Sequence, residues 1–230
     1  MLRDILVFVA YKQGVLSSIP SGVTVVDHPL VKIKLTELRA ADTTPAVFRT
    51  RLCELATLMA FEVTRTLPSA PRTIRTPLAD HEGAILARPL VLAPILRAGL
   101  GMLEGMLKIL SEASVAHIGL YRNEETHLPE SYYFKAPRHL AEADVIVADP
   151  MLATGGSATV AISQLKERGA RSLRYVCLVS CPPGIQHLQE AHPDVPIFTA
   201  AIDPELNSRA YIVPGLGDAG DRYFGTVETA

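Results

Sequence analysis

The 230-residue sequence has no tryptophan, three cysteines and 6% aromatic residues, and its 22 Lys and Arg nearly cancel its 24 Asp and Glu. Each shortage removes a class of protein. A formal net charge of -2 supplies no positive footprint for a duplex or an anionic membrane, so neither nucleic acid nor membrane is an expected partner. Cys53, Cys177 and Cys181 are odd in number and fit no disulfide or zinc-finger framework, which points to a reducing compartment and to cysteines in the core. Cys177 and Cys181 lie four apart, but no second Cys or His pair completes a metal site with them. The apolar run Ile5 to Tyr11 is too short to span a bilayer, and Asp4 before it and Lys12-Gln13 after it are wrong flanks for a secretory signal. A cytoplasmic protein is therefore expected. Walker A, HExxH and GxSxG sequences are absent and the seven histidines are scattered, so neither a covalent serine mechanism nor a zinc-protease site has support.

What is present is an ordinary globular composition, 48% hydrophobic and 20% charged, enough for a large core in one domain, with an optional N-terminal extension. Short β-rich runs alternate with helical patterns, which predicts an α/β fold. Strands are expected at Leu90–Ile95, His117–Tyr121, Asp144–Ala148, Leu173–Ser180 and Val195–Ala201, about five in a mainly parallel sheet flanked by helices. Thr44 as N-cap and Pro45 at the first helical position open a helix whose Phe48, Leu52, Leu55 and Met59 share one face and which should end near Leu67-Pro68. Leu103, Met106, Leu107 and Leu110 form a second stripe, and Ala158, Ala161, Ile162 and Leu165 a third, closed by Lys166, Arg168 and Gly169. Between Pro71 and Arg88, with Glu82-Gly83 as turn signal, irregular or hairpin structure is expected.

Three loops carry chemistry. Asp149-Pro150-Met151-Leu152-Ala153-Thr154-Gly155-Gly156-Ser157 leads from a strand into a helix; adjacent glycines bring backbone N–H groups toward a phosphate, and the helix N-terminus adds partial positive charge. Thr154 and Ser157 add hydroxyls, and Asp149 sits where an acceptor would meet ribose hydroxyls or a metal. A plain Gly-Gly turn is the alternative. Pro94 to Gly101, PILRAGLG, is a second strand-to-helix loop with Arg97 at its tip, a planar donor fork suited to phosphate, and glycines that keep the backbone open. Tyr211 to Arg222, YIVPGLGDAGDR, contains a formal GxGxxG, but the chain ends at Ala230 before the helix and second strand of a dinucleotide fold. A tight turn presenting backbone donors and acceptors to a flat ligand is the remaining reading, with Asp218 and Asp221 as solvated turn residues otherwise.

Together these motifs closely resemble the uracil phosphoribosyltransferase family of type I phosphoribosyltransferases. DPMLATGGS resembles its ribosyl diphosphate loop, PILRAGLGM its pyrophosphate-side loop, YRNEET (Tyr121 to Thr126) its mobile hairpin, YIVPGLGDAGDR with FGT its uracil-binding end, and DHPLV (Asp27 to Val31) its N-terminal start. The likeness runs from about Val23 to Thr226, which implies one domain over 23–230 and leaves 1–22 as an N-terminal extension of unassigned role. Pro150 after Asp149 resembles the uracil branch rather than purine or orotate enzymes. Ile33 departs from a histidine, and Ala210 from a glycine, common in relatives.

The resemblance implies the type I fold, with N- and C-terminal hood elements and a β-hairpin arm. It implies transfer of phosphoribosyl from 5-phospho-α-D-ribose 1-diphosphate (PRPP) to N1 of uracil, giving UMP and diphosphate, with Mg2+ carried mainly by the PRPP diphosphate. Asp149, Arg122 and Asp218 are the implied catalytic residues. PRPP falls to Arg97, Arg122, the Asp149 to Ser157 loop and Asp218, and uracil to Ile212 and Gly217 to Ala219. It also implies a homodimer or larger homo-oligomer, and it admits a GTP effector. Arg222 is the one cation near the base end that an orotate carboxylate could use, so uracil is favoured. A non-catalytic regulatory protein that binds nucleotide or RNA on the same fold is the alternative.

Overall fold

The computed structural model describes residues 19–122 and 129–226. In chain order its elements begin with β1 (Val23–Val25), α1 (Pro29–Arg39), α2 (Pro45–Val63), β2 (Ser69–Arg75), β3 (Asp80–Leu86), β4 (Leu90–Leu96) and α3 (Gly99–Leu107). They continue with β5 (Ser114–Val115), β6 (His117–Arg122), β7 (Pro129–Lys135), β8 (Asp144–Ala148), β9 (Met151–Leu152), α4 (Gly156–Glu167) and β10 (Ser172–Ser180). The last are α5 (Pro182–Ala191), β11 (Ile197–Ile202), β12 (Glu205–Leu206), β13 (Ile212–Val213) and α6 (Ala219–Phe224).

The main sheet runs β1-β11-β10-β8-β4-β6-β7, with β5 beside β4 and β9 beside β10. Its pairings are parallel except β6 with β7. All five expected strands are present, with boundaries shifted by at most two residues. Both faces are apolar, as buried parallel strands require. Leu90, Leu92, Ile146, Ala148, Val176 and Leu178 point to one core with Leu52, Phe48 and Met102 of α2 and α3. Val91, Ala93, Val145, Val147, Tyr175 and Cys177 point to the other, which α4 and α5 cover with Ala161, Ile162, Leu165, Ile185 and Leu188. The period of 2 thus sorts successive residues of one strand into two helix layers. Among the described residues no helix is long and apolar enough to cross a membrane.

Helix α2 starts as its sequence dictates: Thr44 Oγ1 accepts from the Val47 N–H at 3.4 Å and Pro45 occupies the first turn. It stops at Val63, earlier than the expected Leu67-Pro68, because Arg174 donates to the freed Val63 carbonyl at 2.7 Å and to Thr66 Oγ1 at 2.8 Å, closing the last turn from outside. The α3 stripe also shifts. Met102 and Met106 are fully buried, whereas Leu103, Leu107 and Leu110 pack at the rim of the core. The three cysteines are buried and unpaired, as expected. The region between Pro71 and Arg88 is a hairpin, β2 against β3, standing outside the main sheet. Its turn is at Thr76 to Ala79 rather than Glu82-Gly83, which lies inside β3 opposite Arg72 and Thr73. The reason is local: Thr76 Oγ1 accepts from the Leu78 and Ala79 N–H groups and donates to the Ala79 carbonyl, an ST-turn that glycine cannot make.

Candidate active site

Parallel strands deliver their carboxyl ends to one edge, where β4 hands over to Arg97, β8 to Asp149 and β11 to Asp203. There a cavity of about 230 Å³ is lined by residues of all three expected loops: Ala98; Asp149, Met151 and Ala153; and Ala210, Tyr211, Ile212 and Gly217 to Gly220. The sheet brings the first two loops together, and side-chain bonds hold the third, which lies on a separate two-stranded sheet, beside them.

In the first loop, Pro150 and Leu152 turn inward. The Pro150 carbonyl accepts from the Leu178 and Val179 N–H groups at 2.9 and 3.1 Å, and the Leu152 carbonyl from the Cys181 N–H at 3.2 Å. Met151 and Leu152 thereby add the short strand β9 to β10. Cys181 Sγ donates to the Ala153 carbonyl at 3.0 Å. These anchors leave Thr154 and Ser157 exposed. Gly155 is left-handed (φ +83°) immediately before α4, whose first N–H groups have no intrahelical partners, an arrangement that suits an anion. Cys181 and Gly184, at the start of α5, are supports that sequence reading missed: the thiol bonds to the loop, and a Cβ on Gly184 would lie 2.4 Å from the Ala153 carbonyl oxygen.

Asp149 is half-buried and its Oδ1 accepts from the Met151 N–H at 3.4 Å. Burial pushes its carboxyl up from the usual range to about 7, the Met151 hydrogen bond opposes this, and the Asp218 charge adds to it. Asp218 is the N-cap of α6, its Oδ1 accepting from the Asp221 N–H at 2.8 Å. Asp221 is no solvated turn residue: it pairs with Arg97 Nη2 at 3.1 Å and accepts from Thr226 Oγ1 at 2.8 Å. Arg97 also lies 5.9 Å from the Phe224 ring centre, while its side chain keeps 57% exposure. Arg97 is thus held beside α6 with its donors still accessible.

The glycines of PILRAGLG do not serve as an open backbone. A Cβ on Gly99 would lie 2.6 Å from the Ala148 carbonyl oxygen, so this glycine lets α3 start against the end of β8 and brings the first two loops together. Arg122 ends β6; its side chain and residues 123–128, which hold most of YRNEET, lie outside the described residues.

In the third loop Ile212 is buried in β13, Gly217 has φ +76°, and Ala219 opens α6 with 4% exposure. Asn207 organises the approach, its Oδ1 accepting from the Arg209 and Tyr211 N–H groups at 2.9 and 3.0 Å. Ala210 within it is left-handed, at φ +63°. A β-carbon there costs about 1–2 kcal/mol, partly offset by the greater chain entropy glycine loses on folding. Ala210→Gly is accordingly expected to stabilise the protein by about 0.5–1 kcal/mol, raising Tm by about 1–4 °C in a thermal melt. An unchanged or lower Tm would show that the loop relaxes around the alanine.

Arg222 is committed elsewhere. Its guanidinium donates to the Leu216 carbonyl at 2.7 Å and the Ala40 carbonyl at 2.5 Å, and stacks 4.6 Å from the Phe48 ring centre. A substrate carboxylate at the base end would have to break these bonds.

Comparison with known proteins agrees with the motifs. The family model described as uracil phosphoribosyltransferase matches residues 25–226. A curated relative of that name from Rhizobium leguminosarum bv. trifolii (strain WSM2304) is 57% identical over 206 residues, 89% of this chain and 99% of the relative. Another from Acidovorax sp. (strain JS42) is 55% identical over 207 residues, 90% of this chain and 99% of the relative. A solved structure of a protein from Aquifex aeolicus superposes with a TM-score of 0.86 at 34% identity, over 90% of this chain and 100% of that one.

Proposed function

The chain belongs to the uracil phosphoribosyltransferase family, and from that premise we propose that it transfers the 5-phosphoribosyl group of PRPP to N1 of uracil, releasing UMP and diphosphate. The observation that carries this reading is the meeting of three loops around one cavity at the carboxyl edge of the sheet. A glycosyl C1′–O bond breaks, a C1′–N1 bond forms, and N1 gives up its proton. Such a displacement through an oxocarbenium-like state needs positioning and charge stabilisation, not a protein nucleophile. The N-terminus of α4 and the exposed hydroxyls of Thr154 and Ser157 suit the 5′-phosphate. Asp149 suits the ribose hydroxyls, Arg97 and Arg122 the diphosphate, and Asp218 the sugar side.

Uracil is small and neutral, and backbone groups of Ile212, Gly217 and Ala219 suffice to read its edge. Both arginines behind this loop, Arg39 and Arg222, donate to backbone carbonyls, which favours a neutral base over orotate. The cavity's carboxylates, Asp149 and Asp218, fit a magnesium held chiefly by diphosphate and water oxygens, and no carboxylate is assigned to the metal. Bound there, magnesium would neutralise the leaving diphosphate.

A single catalytic domain over 23–230 in the cytoplasm is part of this reading, supported by the family match over most of that range. So is a homo-oligomer: the outlying hairpin exposes Ile74 and Ile85 on one face, Leu86 on the other and Leu78 in its turn, apolar side chains that a second subunit would cover. A GTP effector rests on the family likeness alone. The regulatory alternative has no support, since the matched relatives carry an enzyme's name.

Purified protein with Mg2+, PRPP and each of uracil, cytosine, orotate and hypoxanthine should form nucleotide and diphosphate only with uracil. Turnover with another base alone would overturn the uracil assignment. No turnover across varied metal concentrations would overturn the enzymatic one.

A further inference from the structure

Behind the base loop stands a charged pair that belongs to none of the three motifs. Asp203, the residue after β11, is 6% exposed and carries two converging donors. Arg39 at the end of α1 donates through Nη1 to Asp203 Oδ2 at 2.6 Å and through Nη2 to Oδ1 at 2.7 Å, a bidentate fork. The Gly215 N–H donates to Asp203 Oδ2 at 2.8 Å, and Arg39 Nη1 donates also to the Gly215 carbonyl at 2.7 Å. Gly215 therefore donates to the carboxylate and accepts from the guanidinium in one closed circuit.

Gly215 is where such a circuit matters. It sits at φ +57°, and an added Cβ would fall 2.1 Å from the Ile212 carbonyl oxygen. Packing of a side chain cannot fix the turn at this position, so it is fixed from outside. Ile212 lies three residues before the glycine and Gly217 two after, so both ends of the proposed base-reading edge hang on this residue. A ligand read mainly through backbone N–H and C=O groups depends on where the backbone stands, and small misplacements are costly.

We infer that Arg39 and Asp203 are positioning residues for base recognition, a bidentate pair that sets the backbone of Ile212 to Ala219 without touching the substrate. The inference rests on the reading of that loop as the uracil site. It separates the substrates: the two strand-to-helix loops proposed for PRPP hang on β4, β8 and α4 and, among the described residues, make no bond to the pair, while Asp218, the proposed PRPP group on the loop itself, is held by its own cap to the Asp221 N–H, so loss of the pair acts chiefly on uracil. A pair that served only general stability would affect both substrates alike. Lysine is no substitute for Arg39, because a single ammonium cannot span two carboxylate oxygens and the Gly215 carbonyl in one plane.

The test uses the full-length enzyme and two near-isosteric variants, Arg39→Lys and Asp203→Asn, with KM measured separately for uracil and PRPP and PRPP binding followed by its upward shift of Tm. KM for uracil should rise at least about tenfold in each variant while KM for PRPP stays within about twofold and the PRPP-induced shift persists. An unmoved uracil KM overturns the inference. So does a parallel loss for both substrates, including loss through failure to fold. A wild-type enzyme that makes no UMP refutes the function itself; a working wild type with unaffected variants refutes only the positioning role.

Discussion

Asp149→Asn is expected to slow UMP formation at least about tenfold, because a charged acceptor at the ribose is lost where charge develops, and in the same protein to raise stability at alkaline pH. The two effects have one cause. The folded protein holds the Asp149 proton up to about pH 7, against an ordinary value of 3.8, because burial and the Asp218 charge disfavour the carboxylate. A group raised in the folded state contributes stability that is complete below its unfolded pKa and disappears as pH rises through the folded one. At pH 8 the wild-type protein therefore carries a buried charge that asparagine does not. A carboxyl held at about 7 against 3.8 corresponds to at most about 4 kcal/mol; with the residue only half-buried, a gain of about 1–3 kcal/mol at pH 8 is expected. That gain should vanish as pH falls toward 4. Melts of the two proteins at pH 5 and pH 8 check it. Equal Tm differences at both values would mean that Asp149 is not held protonated, and near wild-type turnover would remove its role at the ribose.

Gly99→Ala is expected to lower stability and turnover together, although the glycine itself reads no ligand. Its Cβ would stand 2.6 Å from the Ala148 carbonyl oxygen and 3.1 Å from Pro94 Cβ, backbone and ring atoms that cannot turn aside. Overpacking of this kind costs about 2–3 kcal/mol, or a fall of about 5–10 °C in Tm for a chain of this length. Because the junction joins the loops of Arg97 and Asp149, turnover should fall with it. Gly83→Ala is the matched control: its nearest atom, the Arg72 carbonyl oxygen, is 3.6 Å away, an ordinary contact, and stability should not drop. Equal melts for the two variants would show that α3 shifts freely against β8.

The parts of the fold legible in the sequence are those that local chemistry determines. The apolar runs of β4 and β8 read as buried parallel strands because both faces are covered, and Thr44-Pro45 marked the start of α2 because its cap is made by neighbours in sequence. The same locality misled at Glu82-Gly83, where the commoner turn signal lost to the Thr76 hydroxyl. The loops that meet at the cavity were legible because their glycines and carboxylates stand together in the chain. What escaped was long-range. Arg39 and Asp203 are 164 residues apart and in sequence look like two ordinary surface charges, and Arg222 looked available until its bonds to Leu216 and Ala40 were seen. The glycines of PILRAGLG signalled an open backbone, whereas Gly99 is there because a carbonyl of β8 lies where its side chain would be.

The measurement that bears most directly on this account is a crystal structure of the enzyme with UMP. The account predicts the 5′-phosphate on the backbone N–H groups between Ala153 and Ser157 at the start of α4, the ribose hydroxyls against Asp149, and the uracil edge against Ile212 and Gly217 to Ala219. A nucleotide bound with its phosphate on Arg97 and its base away from the Gly217 loop, or outside the cavity altogether, would contradict it.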